Sequence, residues 1–275
     1  VWTYGFLLMT ALLAFCVPPG LTREPSPVIG VSSAPTPTWA ERGRWVALAL
    51  VPSSLLLSVT THLTTDLAPI PLLWLLPMGL YLLTFIVAFA RRSLLPHVWL
   101  ARFLPLATIL LLVVLLAEAT EPMPLVMGLH LAGFTWIALA CHGELARTRP
   151  DAWHLTDFYL CLALGGVLGG VLNALVAPAI FPGLFEYPAM IVLACFVALP
   201  GGLNPSRQDW AWAAGIGGAC AILLLLLQSP LFGSPDGPPL NLAALGIGLV
   251  ACYLAHPHPA RFALCLTAVV LASGL

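Results

Sequence analysis

The chain has 275 residues, of which 60% are hydrophobic and only 8% charged, and its mean hydropathy is +1.01. This composition argues against a soluble globular protein, a disordered chain and a nucleic-acid binder, and points to a polytopic membrane protein. The 10 basic and 11 acidic residues nearly cancel, every basic residue is an arginine, and no basic patch exists that could neutralise a phosphate backbone.

Crossing a bilayer takes roughly 20 apolar residues. Hydropathy places spans near 2–17, 45–66, 71–90, 103–118, 123–142, 156–180, 187–200, 210–228, 241–255 and 261–275. The expected fold is an all-α polytopic transmembrane helix bundle of about ten spans. Val1 is not a methionine and Leu275 falls within an apolar run, so the first and last spans are read as truncated. Residues 1–17 lack the basic n-region and cleavage site of a signal peptide and read as the end of an upstream transmembrane helix. Residues 18–44, with six prolines between Pro18 and Pro37, read as a Pro-rich cytoplasmic linker. Residues 45–275 then form a bundle of about nine spans.

If the loops alternate sides, one side collects all ten arginines: Arg23, Arg42, Arg44, Arg91, Arg92, Arg102, Arg147, Arg149, Arg207 and Arg261. The other side holds Asp66, Glu118, Glu121, Glu186 and Asp236 and no arginine. The positive-inside rule makes the arginine side cytoplasmic.

Residues 52–71, PSSLLLSVTTHLTTDLAPIP, place Ser54, Ser58, Thr61, His62, Thr65 and Asp66 along one helical face. His62 and Asp66, four residues apart, can share a hydrogen bond. One reading is the wall of a cavity for a polar or cationic ligand. The other is interhelical glue, with the hydroxyls bonding across to a neighbour. Pro69, Pro71 and Pro77 predict a kink around 69–77.

Residues 141–160, CHGELARTRPDAWHLTDFYL, read as a cytoplasmic loop in which Glu144, Arg147, Arg149, Asp151, His154 and Asp157 could dock a domain or partner, or serve only as a topogenic anchor. Thr156 is placed to cap the helix that follows. Downstream, Gly165 with Gly169 and Gly166 with Gly170 form two overlapping small-xxx-small pairs, which predict close helix packing with Asn173 bonding across it.

Chemistry is scarce. GIGLVA at 246–251 fits a dinucleotide pattern but lies inside an apolar helix with no preceding strand, so it is chance. His62 and His130 fall near one surface on different spans, which makes a bis-histidine haem or a metal conceivable, but two histidines are a weak signal. No cofactor, no metal and no catalytic residue is predicted. The seven cysteines occur singly and read as packing residues.

The runs 53–90 and 138–178 resemble the membrane region of bacterial spermidine-synthase-like proteins, major-facilitator-like segments fused to an aminopropyltransferase-type domain. The resemblance implies a membrane domain that anchors or serves a soluble synthase-like domain or partner. The glycine-rich nucleotide loop and catalytic aspartates of that family's soluble domain do not occur in 1–275, so aminopropyl transfer would require a further domain. Two other readings stay open: a non-catalytic structural subunit of a larger membrane complex, and a transporter-like module for a polar or cationic small molecule. The partners expected are the lipid bilayer and a soluble synthase-like domain or other membrane subunits, with no nucleic acid.

Overall fold

In the computed structural model, residues 36–67, 70–90, 96–181, 185–200, 204–227 and 238–274 are described. The expected span 2–17, most of the linker, Arg23, Arg91, Arg92 and Asp236 lie outside them.

Helix α1 (Trp39–His62) opens on a capping box: the Thr38 hydroxyl accepts from the Glu41 amide, and the Thr38 amide donates to Glu41 Oε2 at 2.7 Å. Two otherwise unpaired donors are thereby satisfied. The helix thus begins six residues before the expected boundary at 45, so Arg42 and Arg44 are helical rather than part of a linker. It closes on a π turn, Leu63–Leu67.

Helix α2 (Leu75–Ala88) starts beyond Pro71. Pro77 falls in its first turn, where the missing amide would have had no intrahelical partner, and Pro69 lies outside the described residues. Helix α3 spans His97–Leu116 and α4 spans Met123–Arg147. Helix α5 (Leu155–Val171) follows a 3-10 turn at Ala152–His154 and runs on through a π turn, Leu172–Val176, and a last turn, Ala177–Ile180. Then come α6 (Glu186–Ala198), α7 (Arg207–Leu227), α8 (Pro238–Leu254) and α9 (Pro259–Ser273).

Among the described residues every regular element is helical, and five helical stretches are long and apolar enough to cross a membrane: Trp39–Leu67, His97–Leu116, Met123–Arg147, Ala152–Ile180 and Arg207–Leu227. The expectation of about ten spans is not supported by the described residues. The remaining apolar helices, Leu75–Ala88, Glu186–Ala198, Asn241–Leu254 and Pro259–Ser273, have 10–17 residues. At about 1.5 Å per residue even 15 residues rise roughly 23 Å, short of a hydrocarbon core of about 30 Å. The five long helices suit a lipid bilayer, as does the exposed face of α5 from Leu160 on, where Leu160, Leu164, Val167 and Leu175 project outward.

Helix ends meet in two groups. Arg42 at the start of α1 meets Asp157 at the start of α5, and Arg44 meets the close of α4 and of α6. Arg261 at the start of α9 meets Asp209 at the start of α7. At the opposite end, His62 closing α1 lies against His130 early in α4 and Tyr187 early in α6. These are called the arginine end and the histidine end below.

Candidate functional site

Between the two ends, α1 and α5 form a seam. A Cβ at Gly165 would run into the Val46 carbonyl oxygen and the Ala49 side chain, and one at Gly169 would stand 2.7 Å from the Leu50 carbonyl oxygen and 2.9 Å from Ser53 Cβ. Only glycine permits this approach. Gly166 and Gly170 have nothing within 4 Å of the same position, so one of the two glycine pairs packs and the other faces open space. The close approach brings polar groups into range: Ser53 Oγ donates to the Gly166 carbonyl at 2.9 Å, Ser58 Oγ donates to Asn173 Oδ1 at 2.9 Å, and Asn173 Nδ2 donates to Ser54 Oγ. Asn173 occupies the π turn of α5, the kind of widened turn often found where a helix does something besides span.

The predicted polar stripe therefore divides. Ser54 and Ser58 are fully buried in the seam and satisfied by Asn173, while Thr61, Thr65 and Asp66 are exposed. Thr65 turns its hydroxyl to the Thr61 carbonyl at 2.7 Å, one helical turn back. His62 sits between the two environments, its Nδ1–H donating to Asp66 Oδ2 at 2.7 Å.

At the histidine end the His62 and His130 rings lie 4.5 Å apart between centroids, and His130 Nδ1 shares a 3.0 Å hydrogen bond with the Tyr187 hydroxyl. The rings lie against one another, which leaves no space for a porphyrin ligated from both faces. Among the described residues no group of three or more His, Cys, Asp or Glu side chains is arranged to hold a metal. The Nε2 atoms of both histidines and Oε2 of Glu186 are buried without a hydrogen-bond partner. Unpaired buried polar atoms are costly, and three of them gather at this end.

The arginine end is built around Glu144, which is fully buried. Arg44 Nη2 donates to Oε1 at 2.6 Å, Arg147 donates through Nε and Nη2 at 2.7 and 2.6 Å, and His97 Nε2 lies 2.7 Å from Oε2. Arg44 Nη2 also reaches the Val197 carbonyl at 3.2 Å, so one carboxylate draws α1, α3, α4 and α6 together. A carboxylate in an apolar surround is tolerated only when it is paired and its lone pairs are occupied, and here Arg44 and Arg147 supply the countercharge while His97 occupies a further lone pair. Beside it, Arg42 Nε binds Asp157 at 2.7 Å, and further along the same end Arg261 Nε binds Asp209 at 2.9 Å.

This changes the reading of 141–160. Glu144 and Arg147 belong to the last turns of α4, because ACHGELAR continues the helix past the expected end at 142. Thr156 does not cap α5, which begins at Leu155 with no side-chain cap, and Asp157 instead pairs with Arg42. His154 closes the 3-10 turn, which leaves 148–151 as the connection, with Arg149 and Asp151 exposed on it. The six residues proposed as a docking loop are therefore split between a buried fastening and a short exposed tip. Arg44 and His97 were not singled out from sequence. The available signal was Glu144 itself, an acid within an apolar run that requires a countercharge.

The buried cysteines among the described residues are free. Another polar contact ties α2 to α4: the Thr84 hydroxyl donates to the Tyr81 carbonyl at 2.6 Å, so His142 Nδ1–H donates to Thr84 Oγ1 at 3.0 Å.

Fold and site together define a multi-pass helical membrane protein whose polar groups gather at a glycine-lined seam and at two bundle ends. Comparison with family models, curated proteins and solved structures gives no match to this chain.

Proposed function

We propose that the chain is the membrane domain of a spermidine-synthase-like protein, a rigid scaffold that anchors or serves a soluble domain or partner, with its arginine end in the cytoplasm of a bacterial inner membrane. The observation that carries this reading is how the polar groups within the bundle are used. Ser54, Ser58 and Asn173 satisfy one another across the α1–α5 seam, and Glu144 is enclosed by Arg44, Arg147 and His97. Groups that fasten helices in this way favour a fixed bundle over one that opens and closes. The collection of arginines at one end, with an exposed tip at Arg149 and Asp151, suits a cytoplasmic face that meets a charged partner.

A second reading, a transporter-like module for a polar or cationic small molecule, draws on the unpartnered Nε2 atoms of His62 and His130. A third, a structural subunit of a larger complex, draws on the open Gly166 and Gly170 positions. Radiolabelled spermidine uptake into liposomes carrying the purified chain separates the first two. The scaffold predicts uptake equal to empty liposomes. Saturable uptake that Asp66→Asn abolishes would replace it with the transporter. Intact-mass measurement in mild detergent separates the first from the third, since a fused or bound synthase-like domain supports the scaffold and stoichiometric membrane subunits support the complex.

A further inference from the structure

A cavity of about 390 Å3 opens between the end of α2, the start of α3 and the end of α4. Its lining mixes two chemistries: Val87, Phe89 and Leu139 are apolar, His97, Arg147 and Arg149 are basic, and among the described residues no carboxylate lines it. The size falls within the range of about 300–1,000 Å3 typical of small-ligand sites.

The charge around it does not balance. Glu144 is the one acid of the cluster, and against it stand Arg44, Arg147 and Arg149, a surplus of two positive charges before His97 is counted. Asp157 is taken by Arg42, and Asp151 is exposed and outside the lining. The hydrogen-bonding capacity does not balance either. Arg147 gives Nε and Nη2 to Glu144, which leaves Nη1 without a partner among the described residues, and Arg149 has no hydrogen bond or ion pair among them. Glu144 thus holds the Arg147 guanidinium in place from behind while its free edge stays available. A preset guanidinium beside a second, unpaired one suits a group with several anionic oxygens.

We propose that this cavity binds a phosphate ester, its oxygens held by Arg147 and Arg149 and its carbon portion lying against Val87, Phe89 and Leu139. A lipid headgroup and a soluble molecule both carry such an ester, and the test below separates them. This site goes beyond the scaffold reading and does not depend on it.

The test titrates the purified chain in mild detergent with phosphatidylglycerol, with diacylglycerol, which has the chains and no phosphate, and with glycerol 3-phosphate, reading Tm. The expected result is a saturable rise with at least one phosphate ester and none with diacylglycerol. A rise with phosphatidylglycerol alone assigns a lipid headgroup, and a rise with glycerol 3-phosphate assigns a soluble ester. Arg149→Gln should weaken the apparent affinity about tenfold, the loss expected for one charge-assisted contact. Arg102→Gln removes an exposed arginine of α3 that has no ion pair among the described residues and does not line the cavity, and should leave the affinity unchanged. Equal weakening by the two substitutions would mean attraction to a general positive field and would overturn the site. So would the absence of a saturable response to either ester.

Discussion

The α1–α5 seam and the Glu144 cluster join helices by different means. The seam is neutral: glycine lets two backbones touch, and Ser53, Ser54, Ser58 and Asn173 supply hydrogen bonds at the contact. The cluster is ionic, one buried carboxylate with three basic partners from α1, α3 and α4. A neutral contact weakens roughly in proportion to what is removed. A buried charge is worth little net while it is paired, and removing its partner exposes the desolvation cost the pairing had offset. Sensitivity to substitution should therefore be steeper at the arginine end than along the seam, although the seam is the more extensive contact.

Glu144→Gln gives the largest expected effect. It leaves Arg44, Arg147 and His97 facing one another without a counter-ion. Because Arg44 and His97 keep 27% of their side-chain exposure and Arg147 keeps 53%, water softens the loss to about 3 kcal/mol, the low end for breaking a buried pair. Thermal unfolding in detergent measures it, and a loss below about 1 kcal/mol, the level of an exposed pair, would erase the distinction drawn above. Next comes Gly169→Val, which drives two methyl groups into the Leu50 carbonyl and Ser53 and should cost about 1–3 kcal/mol by overpacking. Gly170→Ala, one residue along with nothing within 4 Å, should stay within about 0.5 kcal/mol. Equal effects at 169 and 170 would mean that α5 presents a different face to α1.

How much of this was legible in the sequence depends on whether the signal is local. That α5 would pack closely through its glycines, with Asn173 bonding across, follows from LGGVLGGVLN alone. Which glycine pair would pack does not, because both pairs have the same spacing and only the position of α1 distinguishes them. The Thr38–Glu41 capping box is also local, yet hydropathy discounts a polar first turn, and so the start of α1 was placed six residues late. The count of about ten spans is not supported among the described residues for a related reason: an apolar run such as 187–200 reports composition, whereas crossing requires helical length, and α6 has 13 residues. The partners of Glu144 were the least legible, since Arg44 is 100 residues away and sequence spacing carries no trace of that contact.

Smaller effects sharpen the neutral side of the comparison. Asn173→Leu removes the hydrogen bonds to Ser54 and Ser58, but leaves two hydroxyls that can turn to carbonyls of their own helix; Ser58 already lies 3.2 Å from the Ser54 carbonyl. The loss should be about 0.6–1.7 kcal/mol, as for other interhelical hydrogen bonds in membranes, and thermal unfolding again measures it.

Asp66→Asn is the smallest and tests whether the histidine end belongs with the seam or with the cluster. Asp66 is 45% exposed, and asparagine retains an oxygen that can accept from His62 Nδ1, so the geometry survives and only the charge is lost. If that bond merely orients the imidazole against His130, the stability change stays below about 0.5 kcal/mol, the level of an exposed pair. A loss above about 1.5 kcal/mol would show instead that the cluster of His62, His130 and Tyr187 is held by the carboxylate charge, as the arginine end is by Glu144. The bundle would then be fastened ionically at both ends, with the neutral seam as the exception between them.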